Sequence, residues 1–410
     1  MTDKYNLILI FFIILFFPSF VTGIFLPNLI IFLIITTTLL IKFNELKKLF
    51  TEYSKLFLYF MFFYLLIFLS SIFSKHVIHS LETSLLYFAY LLLIFSFIVF
   101  FRNHEKNIIF FFYCGISSFF IISIDAVYEI INGSNILGFS SIDGRIAGLF
   151  NDRWVIGSYL VRLTPLLLGI FFINFQNFSN FQRSVIFIIF GLSSVIIVFS
   201  GERVAYLLLF LLLVLIVIFI FFKIKSKRVI FISIFSILLL FSSPFYISEK
   251  ISERLQSNLT INFTNFDPAI NQYYALYKTS YNLFTKSPLF GIGPNNFRKE
   301  CDDADVKVSK YSCSTHPHNT YFQLLAETGI IGFSLILYVF LYFVVDSFKS
   351  ILSRKFDYGL FGFFLIKCSF VINLWPLIPT GNFFNSWLGY IYFLPFPIYL
   401  IYKNISNEYN

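Results

Sequence analysis

Two histidines that lie close together in the chain could carry acid–base chemistry. His316 and His318 belong to the motif HPHN, near the start of the stretch THPHNTYFQLLAETGIIG, residues 315–332. Histidine changes its charge near neutral pH, so it often serves as a general base. Pro317 fixes the backbone between the two rings and biases His316 toward an extended conformation. The motif predicts either a catalytic base or a polar collar where a helix begins.

The residues after the histidines predict that a helix begins near Thr320. Thr320 and Gln323 have the spacing of a capping box, in which two side chains satisfy free N–H groups of the first turn. His318 would then lie just outside the helix, where the positive end of the helix dipole lowers its pKa and favours the neutral, basic form. His318 is therefore the candidate base, and His316 is expected to support it.

Other residues of this stretch are candidates for supporting roles. Asn319 could orient the histidine ring or a bound substrate, or it could only cap the helix. Glu327 would lie one turn below the membrane surface, where an ionisable side chain is costly and usually has a partner. Gly329 and Gly332 predict the close approach of a neighbouring helix.

A second candidate group is the motif SGERVAY, residues 200–206. Arg203 falls in the first turn of a predicted helix, where a cation is disfavoured by about 0.3–1 kcal/mol. Something anionic should compensate it. Glu202 or lipid headgroups could do so, and so could a bound phosphate, because helix N-termini and guanidinium groups both bind anionic oxygens.

Cys301 and Cys313 lie in one polar segment, whereas Cys114 and Cys368 lie in apolar runs. On the oxidising side of a bacterial membrane the first pair predicts a disulfide, worth about 3 kcal/mol for so short a ring. A zinc site with the two HPHN histidines is the alternative, but it lacks the usual CxxC spacing. The acidic residues at 302–305 predict a solvated turn, so we expect no metal.

These motifs must be positioned by helices that cross a membrane. The chain of 410 residues is 58% hydrophobic and 12% charged, whereas soluble domains are about 45–50% apolar and about 25% charged. Continuous apolar runs predict helices and exclude a barrel. We predict an all-α polytopic membrane protein with about twelve transmembrane helices. The predicted spans are 6–22, 24–42, 55–74, 82–101, 107–131, 156–174, 185–200, 203–222, 228–247, 321–345, 358–376 and 386–403.

The distribution of positive charge predicts the orientation of these spans. If both termini are cytoplasmic, the inner segments hold sixteen Lys and Arg residues and the short outer loops hold four. Cytoplasmic loops of membrane proteins carry this excess. The net charge of +9 therefore reflects topology, and no stretch combines basic and aromatic residues as a nucleic-acid groove would. We expect a bacterial inner-membrane protein without a nucleic-acid partner, whose motifs face the periplasm.

One long outer loop, residues 248–320, separates the ninth and tenth predicted spans. Its apolar residues recur at helical spacing from about 268 to 286, and SPLFGIGPNNF follows as a turn. Long loops in compact proteins are usually functional or disordered. We expect a folded periplasmic cap.

The order of these motifs resembles the O-antigen ligase and polymerase superfamily of bacterial inner-membrane glycosyltransferases. The resemblance rests on the twelve spans, the arginine at the outer start of a middle span, and GIGPNNF followed by HPHNTYFQLLAETGIIG. It is densest over 200–332 and is supported by GRIAGLFNDRWVIGSYL (144–160) and PLIPTGNFFNSWLG (376–389). It divides the chain into an N-terminal transmembrane region, 1–184, a ligase-like core, 185–345, and a C-terminal transmembrane region, 346–410.

The resemblance implies a metal-independent, inverting glycosyltransferase that needs no cofactor. Such an enzyme moves a glycan from undecaprenyl pyrophosphate to an acceptor hydroxyl at the periplasmic face. For a ligase the acceptor is a sugar of lipid A-core, and for a polymerase it is a second lipid-linked glycan. The implied partners are these lipids and the surrounding membrane lipids. We expect a ligase, because the HPHN block and the length of the outer loop look ligase-like.

The resemblance also implies roles for individual residues. His318 matches the motif histidine, the base that deprotonates the acceptor hydroxyl. Arg203 matches the arginine that holds the pyrophosphate and stabilises the charge of the leaving group. The family usually offers a second arginine in the outer loop, but the closest register places Tyr273 and Tyr274 there. The three candidate substitutes are Arg254, Lys278 and Arg298.

A polysaccharide flippase or another transporter would also have many spans. It predicts ionisable residues inside several spans along a path. Here few intrude, chiefly Asp125, Glu129, Arg162 and Lys367, while the polar motifs crowd the outer face. A structural assembly protein would not need an arginine against a helix dipole. These patterns favour the transferase.

Overall fold

The protein is helical throughout the part that the structure describes. A computed structural model of the chain describes residues 2–104, 106–141, 144–151, 153–224, 226–256, 267, 271–352 and 356–408, and these ranges contain no β-strand. The helices of the first part of the chain are α1 Thr2–Ser19, α2 Phe25–Glu52, α3 Ser54–Ile72, α4 Val77–Asn103, α5 Lys106–Asn132, α6 Ile156–Ile173, α7 Asn180–Phe199, α8 Arg203–Lys223 and α9 Lys227–Ile247. The remaining described helices are α10 Glu249–Gln256, α11 Gln272–Lys286, α12 Phe297–Glu300, α13 Thr320–Leu352, α14 Tyr358–Asn373, α15 Ser386–Phe393 and α16 Pro395–Glu408.

Nine of the described helices, α2 to α9 and α13, are long and apolar enough to cross a membrane. The first and eleventh predicted spans correspond to α1 and α14, which are apolar but shorter. The twelfth is divided between α15 and α16, because neither Pro395 nor Pro397 has an N–H to continue the hydrogen-bond ladder. The chain is therefore a multi-pass membrane protein, while the count of twelve and the orientation stay predictions.

Two glycines bring α6 and α14 together in the middle of the bundle. A Cβ on Gly169 would lie 2.8 Å from the Gly362 carbonyl oxygen, and a Cβ on Gly362 would lie 2.5 Å from the Gly169 carbonyl oxygen. Small residues let helix backbones approach closely where lipid provides no hydrophobic driving force. This close contact fixes how far along the bundle axis α6 lies relative to α14. It thereby brings Arg162 on α6 beside Asn373 at the end of α14, and the two residues are hydrogen-bonded.

The long helix α13 is interrupted at Gly329, where φ is +65°. A Cβ at this position would overlap the backbone of Leu289, and L side chains rarely adopt such a conformation. The prediction that Gly329 packs against a neighbouring helix is therefore wrong, because this glycine admits the turn that precedes α12. Gly332 does face a helix, since Leu66 of α3 lies 3.2 Å from where its Cβ would be.

The segment between α9 and α13 has a small hydrophobic core of its own. Its buried members are Leu276, Leu283, Ile292, Phe297, Cys301, Val306 and Ala326. A disulfide joins Cys301 to Cys313, three residues before His316. These contacts hold the segment against the first part of α13. Residues 257–266 and 268–270 of the predicted outer loop lie outside the described residues.

Candidate active site

A cavity of about 620 Å³ lies at the end of the bundle where α6, α8 and α13 begin. Its polar lining comes from the loop before α6, the starts of α6 and α8, α10, α11, the HPHN motif and the segment 376–389. These polar and aromatic residues are Arg145, Ser158, Arg162, Glu202, Arg203, Arg254, Gln272, Tyr273, Tyr311, His316, His318, Thr380 and Trp387. The cavity thus brings the histidine motif and the arginine motif together.

His318 lies on the cavity wall in a backbone conformation that is unusual for a residue with a Cβ. Its φ is +57°, which costs about 1–3 kcal/mol and persists only where the surroundings enforce it. Here its carbonyl oxygen accepts from the Thr380 N–H at 2.8 Å, and its Nε2 lies 3.2 Å from the Ser314 hydroxyl. Burial lowers the pKa of His318. The ring is therefore neutral at neutral pH and able to accept a proton.

His316 is tied down through both ring nitrogens. Its Nε2 donates to the Thr380 carbonyl at 3.0 Å, and its Nδ1 lies 2.9 Å from the Thr315 hydroxyl. Burial and the adjacent His318 lower the pKa of His316 to about 4. The two ring centroids are 4.3 Å apart. His316 thus stays neutral and supports the ring of His318 from one side.

Asn319 caps α13. Its Oδ1 accepts from the N–H groups of Tyr321 at 2.9 Å and Phe322 at 3.2 Å. The helix does begin at Thr320, but the capping-box prediction is wrong. Thr320 is already the first helical residue, and the Gln323 side chain points to other partners. An asparagine directly before the helix competes well for this position, because its short side chain reaches the free N–H groups of the first turn.

The segment 376–389 is held beside HPHN by side chains from the start of α13. Asn319 Nδ2 donates to the Pro376 carbonyl at 2.8 Å, and the hydroxyls of Thr320 and Thr380 are 2.9 Å apart. Thr380 therefore contacts both histidines and α13. In the sequence this segment served only to support the family resemblance, because its place in the site depends on a contact about 60 residues distant.

Glu327 has partners, as expected of a buried carboxylate, but it does not line the cavity. Its Oε1 accepts from the Phe297 N–H at 2.9 Å, and its Oε2 accepts from the Gln323 amide at 2.9 Å. The carboxylate thereby joins α12 to the first part of α13. Glu327 therefore stabilises the scaffold that carries the HPHN motif and does not contact the cavity.

Arg203 and Arg254 place two guanidinium groups in the cavity. Arg203 begins α8, and its Nε donates to the Arg254 carbonyl at 2.8 Å. In return, Arg254 Nε donates to the Gly201 carbonyl at 3.0 Å. These two bonds tie α10 to the start of α8. Of the three candidates for a second cation, Arg254 is the one that lines the cavity.

Lys278 and Arg298 lie away from the cavity lining. Lys278 Nζ is 5.4 Å from the ring centroid of Tyr281, and Arg298 donates to the Asn295 side chain at 2.7 Å. Tyr273, which stands where the family register would put an arginine, does line the cavity, with its ring centroid 6.3 Å from that of His318. The position of the family's second arginine therefore does lie in the cavity lining, but a tyrosine occupies it here. The second positive charge in the lining comes from Arg254 instead.

Glu202 does not compensate Arg203. Its carboxylate accepts from the Gly157 N–H at 2.6 Å, the Ser158 N–H at 3.2 Å and the Ser158 hydroxyl at 2.6 Å. It thus satisfies free N–H groups in the first turn of α6. Burial raises the pKa of Glu202 to about 7, although these hydrogen bonds oppose the rise. The ion pair between Glu202 and Arg203, one of the alternatives that the sequence left open, is therefore not formed.

Two further arginines line the cavity, and no motif in the sequence assigned them. Arg145 lies in the loop before α6, with its guanidinium 5.7 Å from the centroid of the Trp154 ring. Arg162 lies on α6, is only 2% exposed, and follows Ser158 by one helical turn. For Arg162, the available signal was an arginine inside a predicted span.

Among the described lining residues, four guanidinium groups face one carboxylate, an excess of positive charge that suits an anionic ligand.

The two cysteines of the outer segment are bonded to each other, so they do not ligate zinc together with the HPHN histidines. The three aspartates of the acidic turn form ion pairs with lysines. Within the described ranges, no group of three His, Cys, Asp or Glu side chains comes together in the manner of a metal site.

Comparison with known proteins bears on the same part of the chain. Residues 188–337, a little over a third of the sequence, match the family model described as O-antigen ligase. The matched segment contains Arg203, Arg254 and His318, whereas Arg145 and Arg162 precede it. No curated protein matches the chain. The match over this segment supports membership of the O-antigen ligase and polymerase superfamily.

Proposed function

We propose that the protein is a glycosyltransferase that moves a glycan from undecaprenyl pyrophosphate to a sugar hydroxyl of lipid A-core. The observation that carries this proposal is that the neutral imidazole of His318 shares one cavity with the guanidinium groups of Arg203 and Arg254. Transfer from a pyrophosphate needs a base for the acceptor and fixed positive charge for the leaving group. Membership of the superfamily supports a ligase-type or polymerase-type reaction in general.

In the proposed reaction, His318 takes the proton of the acceptor hydroxyl as the hydroxyl oxygen bonds to the anomeric carbon of the donor sugar. The bond from that carbon to the pyrophosphate oxygen breaks, and attack from the opposite face inverts the configuration. Negative charge develops on the pyrophosphate, where Arg203 and Arg254 stabilise it without having to reorganise. Because the pyrophosphate is an activated leaving group, the proposal includes no metal and no cofactor.

The proposal places the cavity on the periplasmic side of the inner membrane, with both termini in the cytoplasm. The excess of Lys and Arg residues in the segments that would face the cytoplasm supports this orientation. The lipid-linked donor and the lipid-borne acceptor would both reach the cavity from the outer leaflet.

The experiment compares the glycan lipids of cells that lack the gene, complemented with the wild type, His318→Asn, Arg203→Gln or Arg153→Gln. Asparagine tolerates positive φ, so His318→Asn removes the base and keeps the backbone of the motif. Arg153 is the matched control, because it donates to the Val21 carbonyl at 3.1 Å and does not line the cavity. We expect the first two variants to leave long glycans on the undecaprenyl carrier and Arg153→Gln to restore transfer.

The form of the accumulated lipid separates the alternatives. Lipid A-core that bears a single repeat unit in the deletion cells would assign the protein as a polymerase. Lipid-linked units retained on the cytoplasmic side would assign it as a transporter. Normal glycans in cells that produce His318→Asn at wild-type levels would refute the proposed base.

A further inference from the structure

Arg162 is a buried cation inside a membrane helix. It lies six residues after Ile156, the first residue of α6, which places it about 9 Å below the start of the helix at 1.5 Å per residue. Among the described residues, no carboxylate forms an ion pair with its guanidinium, and the hydrogen-bond partner found there is Asn373. A charge in this position is costly and usually marks a pathway or a site.

Two buried donors at this position lack an acceptor among the residues that the structure describes. Arg162 Nη1 donates to the Asn373 carbonyl at 3.2 Å. The Arg162 Nε and the Asn373 Nδ2 are both buried and make no hydrogen bond within the described part of the protein. Such groups are almost always satisfied in proteins, and both need an acceptor. A water molecule could accept from them but would leave the guanidinium charge uncompensated, so an anionic oxygen fits better.

Arg162 lines the same cavity as Arg203, at a greater depth. Ser158 and Arg162 lie at helical spacing on one side of α6, and together with Val155, directly before the helix, they form one wall of the cavity. Ser158 is bound to Glu202, the residue directly before α8, and Arg162 lies one turn below Ser158. Arg203 stands at the start of α8. The cavity therefore presents positive charge at two levels.

We propose that Arg162 forms a second phosphate-binding subsite at the floor of the cavity, below the subsite of Arg203 and Arg254, and that Asn373, which contacts Arg162 from behind the lining, supplies a further donor. The inference rests on the proposed function, because a lipid pyrophosphate carries two phosphoryl groups. The lipid chain leaves toward the membrane interior, so the deeper subsite takes the phosphoryl group that is esterified to the lipid. The carboxylate of an acidic sugar has similar chemistry, and the experiment distinguishes the two.

The experiment measures the affinity of the detergent-solubilised full-length protein for inorganic pyrophosphate, orthophosphate and glucuronate by calorimetry at constant ionic strength. Arg162→Gln removes the charge but keeps a donor for the Asn373 carbonyl. Arg153→Gln is the matched control, because Arg153 also donates to a backbone carbonyl and lies outside the cavity lining. We expect Arg162→Gln to weaken pyrophosphate binding roughly 10- to 150-fold, the usual contribution of a hydrogen bond to a charged group. We expect the variant to lose the preference for pyrophosphate over orthophosphate, and Arg153→Gln to match the wild type.

A second variant covers the case in which Arg162→Gln does not fold. Asn373→Leu removes the unsatisfied Nδ2 donor and the long contact from Arg162 Nη1 to Asn373 Oδ1 at 3.5 Å, and it leaves the backbone carbonyl that Arg162 contacts at 3.2 Å. We expect it to weaken pyrophosphate binding roughly 10-fold or more, because one hydrogen bond to an anion is lost. A purely structural role for the Asn373 side chain predicts wild-type affinity, and that result would overturn the subsite.

The remaining outcomes separate this inference from the proposed function. Wild-type pyrophosphate affinity in Arg162→Gln would overturn the subsite, and so would a loss confined to glucuronate, which would assign Arg162 to an acidic sugar. If Arg203→Gln weakens pyrophosphate binding while Arg162→Gln does not, the subsite fails and the proposed donor site stands. If neither substitution changes the affinity, the proposed donor site fails as well.

Discussion

Replacing Arg254 by glutamine tests which cation acts together with Arg203. The sequence offered Arg254, Lys278 and Arg298, and the structure brings only the first of these three to the cavity lining. We expect Arg254→Gln to slow glycan transfer strongly. Lys278→Gln and Arg298→Gln serve as controls that remove the same charge outside the lining, and we expect little change in either.

The magnitude follows from the contacts of Arg254. A hydrogen bond to a charged group contributes about 1.5–3 kcal/mol, which corresponds to a loss of roughly 10- to 150-fold in rate at 1.36 kcal/mol per factor of ten. The bond from Arg203 Nε goes to the backbone carbonyl of residue 254, so glutamine preserves it. Glutamine does remove the bond from Arg254 Nε to the Gly201 carbonyl, so the loss reports the guanidinium group together with that bond. Substitutions outside such contacts usually change free energies by less than about 0.5 kcal/mol, a factor of roughly two.

The assay uses the purified protein in lipid nanodiscs with a lipid-linked donor and an acceptor lipid, and it measures kcat and KM separately. Negative charge grows on the pyrophosphate in the transition state, so we expect kcat to fall by more than KM rises. A wild-type kcat/KM in Arg254→Gln would refute this reasoning. An equal or greater loss in Lys278→Gln or Arg298→Gln would refute it as well.

Three further predictions concern the scaffold of the site. The double substitution Cys301→Ser and Cys313→Ser should cost about 3 kcal/mol, and its Tm should equal that of the reduced wild type. Gly329→Ala should cost about 1–3 kcal/mol for its backbone conformation alone. Gly191→Ala, whose added Cβ would meet no atom of another segment within 4 Å, should not lower Tm, because alanine favours a helix interior over glycine. His316, with a pKa of about 4 when folded against 6.5, stabilises the native state above pH 6.5. This contribution, about 3 kcal/mol, is lost as the pH falls from 6.5 toward 4. The fall of Tm over this range should therefore be smaller in His316→Asn, and an unchanged fall would contradict the assignment.

The sequence predicted the features that depend on local patterns. Apolar runs identify helices because the bilayer demands them, and the start of α13 and the pairing of the HPHN and SGERVAY motifs follow from motif order. The capping box failed because the neighbouring Asn319 was the better cap. Gly329 was misassigned because glycine serves both close helix packing and positive φ, and spacing alone does not distinguish these uses.

The rest of the site depends on contacts between distant segments. Arg254 reaches the cavity through α10, which is tied to the start of α8 by two hydrogen bonds to backbone carbonyls that any sequence would offer. Thr380 meets His316 and His318 across more than 60 residues. The depth of Arg162 is set by the close approach of α6 and α14. None of these contacts leaves a pattern in the residues nearby.

The bond between Arg162 and Asn373 has a consequence for how the protein is made. The two residues are 211 positions apart, so at about 5–20 residues per second roughly 10–40 s of translation separate them. During that interval α6 carries a charge without the partner that holds it in the finished protein. We expect a ribosome-bound chain that ends before Tyr358 to leave a cysteine placed at Val161 open to water-soluble thiol reagents, and the complete chain to protect it. The two residues that meet at the floor of the cavity are therefore synthesised at well separated times.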